Sequence, residues 1–419
     1  MKCIRNMVLM SALVLTLACA FASVCWADDA VTLQQCKDAI AAHDYAQAAD
    51  LCRQVLSGTS GSESELVSLL SETVASVAKE DTARRSLMYV LVECYRRLKQ
   101  WDDAQALCKS VLADYPDEAG RVESERATIA LYQMKDSVES MPKDDPLRKE
   151  LMYKLALAYR NKGNYDDALS LYKSISEDYT GEDVACCIEI ARTYVAKGDI
   201  DKAISTCMDT AAKLGTDPKA AEALFYAAEV QSGHGKASDA VATLDKICAD
   251  YPDSAPLALV RKGEALGYYL NDADGAVSAW RKVISDYESD PNAKEALSRL
   301  ADFTLFKLNK GSDARSLYAQ LLSKYPECDN ALTAYNLACC SFAEEYWSEA
   351  KSSFEAVYGK CVGDPVQAAA KYKVGECCAM LGDTNGARDA FQTVVADLTN
   401  PVLAKAAQER LDGLTNAGN

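Results

Sequence analysis

The sequence is very poor in histidine, with His43 and His234 the only two among 419 residues. Two histidines far apart in the chain argue against a Ser-His-Asp or Cys-His catalytic site and against a metal site built from several histidines. No pair of cysteines has the C-x-x-C spacing of redox motifs and zinc knuckles. A glycine-rich phosphate-binding loop is also missing. We therefore expect no enzyme activity, no cofactor and no bound metal.

Positive charge is scarce as well. The chain has 45 Lys and Arg against 62 Asp and Glu, which gives a net charge of −17. A protein that binds nucleic acid or anionic lipid through charge needs a basic surface, so neither is expected as the main partner. Beyond the N-terminal segment, no apolar run is long enough to cross a bilayer. The composition argues against these partners and does not identify another.

The N-terminus has the pattern of an export signal. Lys2 and Arg5 precede an apolar run over 7–22, and small residues then offer cleavage after Ala22 or Ala27. We expect cleavage after Ala27, because a polar chain begins there. The predicted mature protein is exported, either periplasmic or secreted, and outer-membrane association stays open.

Two alternatives to a cleaved signal remain. The first is an uncleaved membrane anchor, for which the apolar run is short. The second is a lipoprotein signal with Cys19 as the lipidated residue, since 16–19 resembles that box with its leucine one place late.

Internal repetition is the dominant feature of the rest of the chain. An alanine is followed four residues later by a mostly large or sulfur-containing side chain, and three residues after that by a usually aliphatic one. Offsets of four and seven lie on one helix face. The alanines, which we call anchors, are Ala48, Ala104, Ala168, Ala203, Ala240, Ala276, Ala314, Ala350 and Ala387. The last six steps between them are 35 to 38 residues, a period typical of helical repeat arrays.

The segment before each anchor predicts a first helix that packs on the anchor helix. Most residues twelve places before the anchors are small, and where Glu264 and Asp302 break this rule, a turn longer by one residue would substitute Gly263 and Ala301. Glycines such as Gly163 suit the left-handed turn between the helices. Several second helices end in Tyr-Pro, and we expect that tyrosine to pack between units.

This pattern resembles the tetratricopeptide repeat. The resemblance is clearest in one unit, where the signature residues are Ala156, Tyr159, Gly163, Tyr165, Ala168 and Tyr172. The Tyr-Pro ending and the slightly long period look most like the bacterial envelope subgroup, which includes the outer-membrane-assembly lipoprotein and the Tol-Pal accessory protein. The resemblance implies an all-α, right-handed superhelical solenoid of about eight to nine helix pairs.

The predicted organisation follows the anchors. After the signal (1–27) come a first unit (28–60), a degenerate region with one unit and extra helices (61–148), six to seven tandem units (149–399) and a capping helix (400–419). The degenerate region holds an apolar-periodic stretch over 66–77 and an extra helix over 118–140. Each is either a decayed repeat or an insertion for recognition.

Residues fifteen places before the anchors are candidates for a concave groove that binds a peptide or helix. The alternative is that these rings only pack between helices. Arginines nearby could orient an acidic group of the partner, and the alternative for them is ordinary surface ion pairing. The predicted groove residues are Tyr89, Arg96, Tyr153, Arg160, Arg192, Phe225, Tyr335 and Tyr372.

The sequence has 17 cysteines, of which three lie in the predicted signal, and the even number that remains in an exported chain permits disulfides. Cys36 with Cys52, and Cys94 with Cys108, lie at places of close approach within a helix pair and are the predicted disulfides. The alternative is that most cysteines are small buried apolar residues.

By the family resemblance, we expect a non-enzymatic scaffold or adaptor of the bacterial cell envelope that binds a protein segment in its groove. A cysteine-rich protein that handles thiols or metal, and a purely structural spacer, are the alternatives.

Overall fold

The computed structural model describes residues 32–58, 61–361, 363–397 and 400–416, and these residues form 21 α-helices. The described part of α1 covers 32–41. The other helices are α2 (Tyr45–Ser57), α3 (Glu63–Ser76), α4 (Thr82–Arg97), α5 (Trp101–Asp114), α6 (Ala119–Ser140), α7 (Pro146–Asn161), α8 (Tyr165–Asp178), α9 (Asp183–Lys197), α10 (Ile200–Leu214), α11 (Lys219–Gly233), α12 (Ala237–Asp250), α13 (Ala255–Glu264), α14 (Ala273–Asp286), α15 (Pro291–Phe306), α16 (Gly311–Lys324), α17 (Ala331–Ala343), α18 (Trp347–Lys360), α19 (Val366–Met380), α20 (Thr384–Ala396) and α21 (Pro401–Asn416). The expected all-α fold is confirmed. The predicted signal over 1–27 lies outside the described residues.

Nine helix pairs carry the nine anchors, each on its second helix. All nine anchor alanines have no exposed surface. The residues four places later are at most 2% exposed, and in five units they are the large side chains Tyr172, Trp280, Tyr318, Phe354 and Phe391. Periodic burial of these faces is what holds the two helices of a unit together.

Small residues on the first helix make room for those large side chains. A Cβ atom placed on Gly263 would lie 2.5 Å from the Trp280 ring, and one placed on Gly375 would lie 2.7 Å from the Phe391 ring. Ala301, the substitute that a longer turn predicts in the next unit, is fully buried. The prediction that Gly263 and Ala301 serve as the small residues of their first helices is confirmed.

The turn between the two helices has a left-handed residue at the same place in every unit. The residue five places before each anchor has a positive φ. Four are glycines, and the others are His43, Lys99, Asn271, Asn309 and Glu345. In the unit of Ala203, Gly198 has φ 90°, and the amide of Asp199 then donates to the carbonyl of Tyr194 at 2.8 Å, which closes the end of the first helix.

The tyrosine that follows a second helix ties neighbouring units together, as expected. The Tyr251 hydroxyl donates to the carbonyl of Gly215 at 2.6 Å, directly after the preceding second helix. Tyr115 and Tyr179 make the same bond to residues 36 places earlier, which are Lys79 and Lys143. The chain then turns through short 3₁₀ segments where proline follows the tyrosine, at Pro116–Glu118, Pro252–Ser254 and Pro326–Cys328.

The two single helices α3 and α6 belong to a duplicated three-helix block with a period of 64 residues. Residues 76–115 and 140–179 share 18 identities in 40 positions. The contacts repeat with the same offset: Arg84 donates to the Val74 carbonyl and pairs with Asp114, as Arg148 does with the Val138 carbonyl and Asp178. Since Tyr115 and Tyr179 bond to carbonyls that follow α3 and α6, each single helix takes the place of a second helix. This placement favours a decayed repeat over an insertion.

The chain divides into two compact parts after Tyr179, and each part contains several repeat units. In the second part, α21 is the last helix that the structure describes. Its Ala407 is fully buried, and Leu403, Leu411 and Leu414 pack on the core that contains Phe391. No described helix is both long and apolar enough to cross a membrane.

Candidate binding cleft

The predicted groove tyrosines pack mainly on their own units. Their rings tilt against the large side chain four places after the anchor, with centroid distances of 5.9 Å for Tyr153 on Tyr172, 5.4 Å for Tyr335 on Phe354 and 5.3 Å for Tyr372 on Phe391. All three are half-buried. These rings therefore stabilise the helix pairs, which agrees with the packing alternative.

Tyr89 is the most buried of the predicted groove residues, with 7% of its surface exposed. Its hydroxyl donates to Glu118 at 3.0 Å, and the guanidinium of Arg121 lies over its ring at 3.6 Å. The hydroxyl and one ring face are thus already satisfied within the chain.

Two of the predicted arginines, Arg96 and Arg192, already have partners on their own helices. Arg192 pairs with Glu189 at 2.5 Å and lies over the Tyr226 ring at 5.5 Å. Arg96 pairs with Glu93 and lies over the Tyr132 ring, in a separate shallow cleft of about 400 Å³ between α4 and α6. Arg160 is half-buried at the C-terminal end of α7. Arg96 and Arg192 follow the ion-pair alternative.

A larger cleft lies on the first helices α9, α11 and α13. Its volume is about 560 Å³, and two predicted groove residues, Arg192 and Phe225, line it. The remaining lining side chains come from the same three helices, from α12 and from the segment that follows α13. They include Ile188, Glu222, Tyr226, Glu229, Leu257, Arg261, Glu264 and Tyr269. We call this the α9–α13 cleft.

Tyr269 is a cleft residue that the repeat pattern did not identify. It ends a π-helical segment over 265–269 that continues α13, and it is 58% exposed. The small residue of this first helix is at 263 and not at 264, so one extra residue lies between it and the anchor. The π-helical segment accommodates that residue, since a π-turn takes one more residue than an α-turn. The irregular spacing around Glu264 was the sequence signal for it.

The arginines that line the α9–α13 cleft are ion-paired, whereas two of its glutamates are not paired with any described residue. Arg261 pairs with Glu264 at 3.0 Å, and Arg192 pairs with Glu189. Glu222 and Glu229 are exposed, and neither forms an ion pair with any residue that the structure describes. The unneutralised charge of the cleft is therefore negative.

Two models of the tetratricopeptide repeat family match the chain. One covers 188–255, which includes most of the cleft, and the other covers 87–118 and 150–181. The same pattern continues beyond these stretches. Each of the nine units has an anchor alanine and a left-handed turn residue, and most have a small residue on the first helix. The chain contains tetratricopeptide repeats.

Several solved structures are similar to these repeats at low identity. A tetratricopeptide repeat protein from Parabacteroides merdae is 14% identical, with a TM-score of 0.41 over 64% of this chain and 98% of that one. The protein of a study of Pseudomonas aeruginosa pilF is 16% identical, with a TM-score of 0.39 over 55% and 98%. A chain of the Cut9-Hcn1 hetero-tetramer of the APC/C is 13% identical, with a TM-score of 0.39 over 90% of this chain and 88% of that one. No curated protein matches the chain.

Tetratricopeptide repeats are protein-interaction modules, so the repeats indicate a protein–protein interaction scaffold. The structure also shows what the cysteines of this scaffold do. Cys36 and Cys52 form a disulfide between α1 and α2, with their Cα atoms 6.2 Å apart.

The second predicted disulfide is corrected. Cys94 and Cys108 are both buried free thiols. Cys94 stands two places beyond the position that Cys36 takes in the first unit, and two residues turn a helix by about 200°. Val92 takes the place of Cys36, while Cys94 lies near Glu63 of α3, on another side of α4.

Most other cysteines behave as small apolar residues. Burial raises the pKa of Cys94 to about 12 and that of Cys108 to about 11, and it raises the pKa of Cys340 and Cys377 to about 12. Such thiols are poor nucleophiles and poor metal ligands. Within the described ranges, no three His, Cys, Asp or Glu side chains are grouped to hold a metal ion.

Proposed function

We propose that this protein is a non-enzymatic scaffold of the cell envelope that binds a segment of a partner protein in the α9–α13 cleft. The observation that carries the proposal is the convergence of Phe225, Tyr226 and Tyr269 with unneutralised acidic groups in a cleft lined by three consecutive first helices. Aromatic side chains are the usual anchors of protein interfaces.

The size of the cleft supports a peptide or helix as the occupant. About 560 Å³ accommodates a few side chains of a partner but not a folded domain. Half-buried Ile188, Phe225 and Leu257 supply apolar contact, and Tyr269 supplies an exposed ring. An amphipathic helix or an extended segment meets such a cleft with two or three apolar side chains.

The charge of the cleft favours a basic occupant. The expected capture of an acidic group by arginine is weakened because Arg192 and Arg261 are occupied by Glu189 and Glu264. A lysine or arginine beside an aromatic or aliphatic residue would instead meet Glu222 and Glu229. We therefore propose an apolar segment that carries at least one basic residue.

Selection from a displayed library of random peptides tests this function. We expect enriched sequences that combine apolar and basic residues and that bind at least about tenfold more weakly to the variant with Phe225→Ala and Tyr269→Ala, which corresponds to about 1.4 kcal/mol. Tyr346→Ala is the matched control, because Tyr346 is also highly exposed (57%) but lies outside the cleft.

Two results of the selection would contradict the proposal. One is enrichment of peptides that bind the cleft variant as well as the parent protein. The other is failure to enrich any sequence over the background, which would favour the structural spacer. Reversing charge with Glu222→Lys and Glu229→Lys separates the two parts of the idea, because only basic peptides should lose affinity.

Location in the envelope is the second part of the proposal. Lys2, Arg5 and the apolar run that follows support export, and the Cys36–Cys52 disulfide suits an oxidising compartment. N-terminal sequencing of the protein from cell fractions tests it. A chain that begins at Asp28 in the periplasmic or secreted fraction is expected, and an intact N-terminus in the cytoplasmic fraction would overturn it.

A further inference from the structure

Cys187 and Cys207 form a second close pair of sulfur atoms, between α9 and α10. Their Sγ atoms are 3.7 Å apart, and both side chains are almost completely buried. The S–S bond of a disulfide is about 2.05 Å long, so the two sulfur atoms have to move closer by less than the length of one C–S bond. The two thiols are in direct contact, because one lies within hydrogen-bond distance of the other.

The repeat register relates this pair to the disulfide of the first unit. Cys207 and Cys52 both stand four places after their anchors. Cys36 stands twelve places before its anchor and Cys187 sixteen, and residues four apart share a face of a helix. The small residue Ala191 takes the place of Cys36 in the later unit, so the partner of Cys207 has moved by one helical turn along the same face.

We propose that Cys187 and Cys207 are a redox site that closes to a disulfide between α9 and α10 when the protein is oxidised. The inference does not depend on the function of the cleft. It does concern the same helix, because Ile188, next to Cys187, lines the cleft. The disulfide would fix α9 against α10 and so hold one wall of the cleft in place.

The reaction needs a disulfide donor of the class of oxidised glutathione or a thiol–disulfide oxidoreductase. The Cys187 thiolate attacks the donor disulfide, forms a mixed disulfide and releases one thiol. Cys207 then loses its proton and attacks the Cys187 sulfur, which forms the protein disulfide and releases the second thiol. Two protein S–H bonds and the donor S–S bond break, one protein S–S bond forms, and the donor is reduced by two electrons and takes up two protons.

The contact between the thiols favours Cys187 as the attacking group. The hydrogen bond with Cys207 lowers the pKa of Cys187, because the neighbouring S–H stabilises the thiolate. Cys187 is also the less buried of the two, at 3% against 0%. Since both are shielded in the folded chain, oxidation during folding or local opening is the expected route.

Peptide mapping after refolding in glutathione buffers tests the proposal. Trypsin places Cys187 in the peptide 174–192 and Cys207 in 203–213. We expect the linked pair of peptides in oxidising buffer, with a ratio of linked to alkylated peptide that rises by at least about tenfold over reducing buffer. The link should vanish in Cys187→Ala and Cys207→Ala.

Cys186 supplies the control, because it lies in the same tryptic peptide but points about 100° away around the helix. Cys186→Ala should keep the link. Recovery of Cys187 and Cys207 as alkylated thiols, in protein that has native circular dichroism and an intact Cys36–Cys52 link, would overturn the proposal. A link that persists in Cys187→Ala would also overturn it.

Discussion

Replacing Gly263 with alanine tests the rule that each first helix carries a small residue where the second helix inserts a large one. The new Cβ atom would lie 2.5 Å from Cε2 and Nε1 of Trp280. Trp280 is fully buried, its indole N–H donates to the Val260 carbonyl at 3.1 Å, and its ring contacts Phe303 with centroids 5.2 Å apart. The ring therefore has no free direction in which to move.

Two opposing effects set the size of the expected change. Overpacking a core by one methyl group lowers the free energy of unfolding by about 1–3 kcal/mol. Replacing glycine by alanine in a helix raises it by about 1 kcal/mol. We expect Gly263→Ala to lose up to about 2 kcal/mol in total, and so to be about 1–3 kcal/mol less stable than a glycine-to-alanine change without the close contact. Gly359→Ala is the matched control, because a Cβ atom there meets no atom within 4 Å, so this variant should be as stable as the parent or slightly more so.

Urea unfolding followed by far-ultraviolet circular dichroism measures the difference. Midpoints are the quantity to compare, since a repeat array need not unfold in one step. Adding Trp280→Phe to Gly263→Ala should make the two changes less than additive, because the smaller ring leaves room for the methyl group. If Gly263→Ala has the midpoint of Gly359→Ala, the close-approach argument is refuted.

Three further changes follow from the contacts. Tyr251→Phe removes a hydroxyl that donates to a backbone carbonyl of the preceding unit, and we expect a loss of about 1 kcal/mol in urea unfolding; no loss would contradict the inter-unit role. Hydrogen bonds from Lys79 and Arg84 lower the pKa of Asp114 below its ordinary 3.8, so its carboxylate stabilises the fold above that pH, and the stabilisation is lost as the pH falls through the lower, folded-state pKa. Asp114→Asn should therefore lower the urea midpoint at about pH 7 and lose this effect near about pH 2, whereas an equal effect at both pH values would contradict the ion pairs. Cys36→Ala should cost about 2–4 kcal/mol in urea unfolding without reductant, and a similar loss with reductant present would point to packing instead.

The periodic part of the fold is predictable from sequence because side-chain volume at fixed places determines it. The anchors, the large residues after them and the small residues before them are read directly from the chain, and each proves to be buried. Even the one-residue shift to Gly263 follows from the pattern. Helix pairs with such local contacts need little information from distant parts of the chain.

The irregular features could not be predicted in the same way. The left-handed turn residue is glycine in four units, but His43 and Glu345 adopt the same backbone because the surrounding helices impose it. The direction of Cys94 depends on helical phase relative to α3, which has no counterpart in a regular unit. Tyr269 reaches the cleft only through the π-helical segment, and sequence spacing shows the extra residue but not where it is accommodated.

The candidate site was predictable only in part, since whether a ring is free depends on what lies beside it. Tyr335 and Tyr372 match the groove position as well as Phe225 does, yet Phe354 and Phe391 cover them from their own units. Phe225 has Leu244 at the corresponding place, an aliphatic side chain that also lines the cleft. The repeat thus determines which residue occupies the groove position. The side chain four places after the anchor determines whether that residue is covered or available to a partner.

Site-specific photo-crosslinking in cells tests the scaffold account most directly. A photoreactive side chain would replace Phe225 or Tyr269 in the cleft, or Tyr346 outside it. The account predicts one discrete envelope protein crosslinked from both cleft positions and not from 346, through a segment that carries apolar and basic residues. Equal crosslinking from all three positions, or none from the cleft, would contradict it.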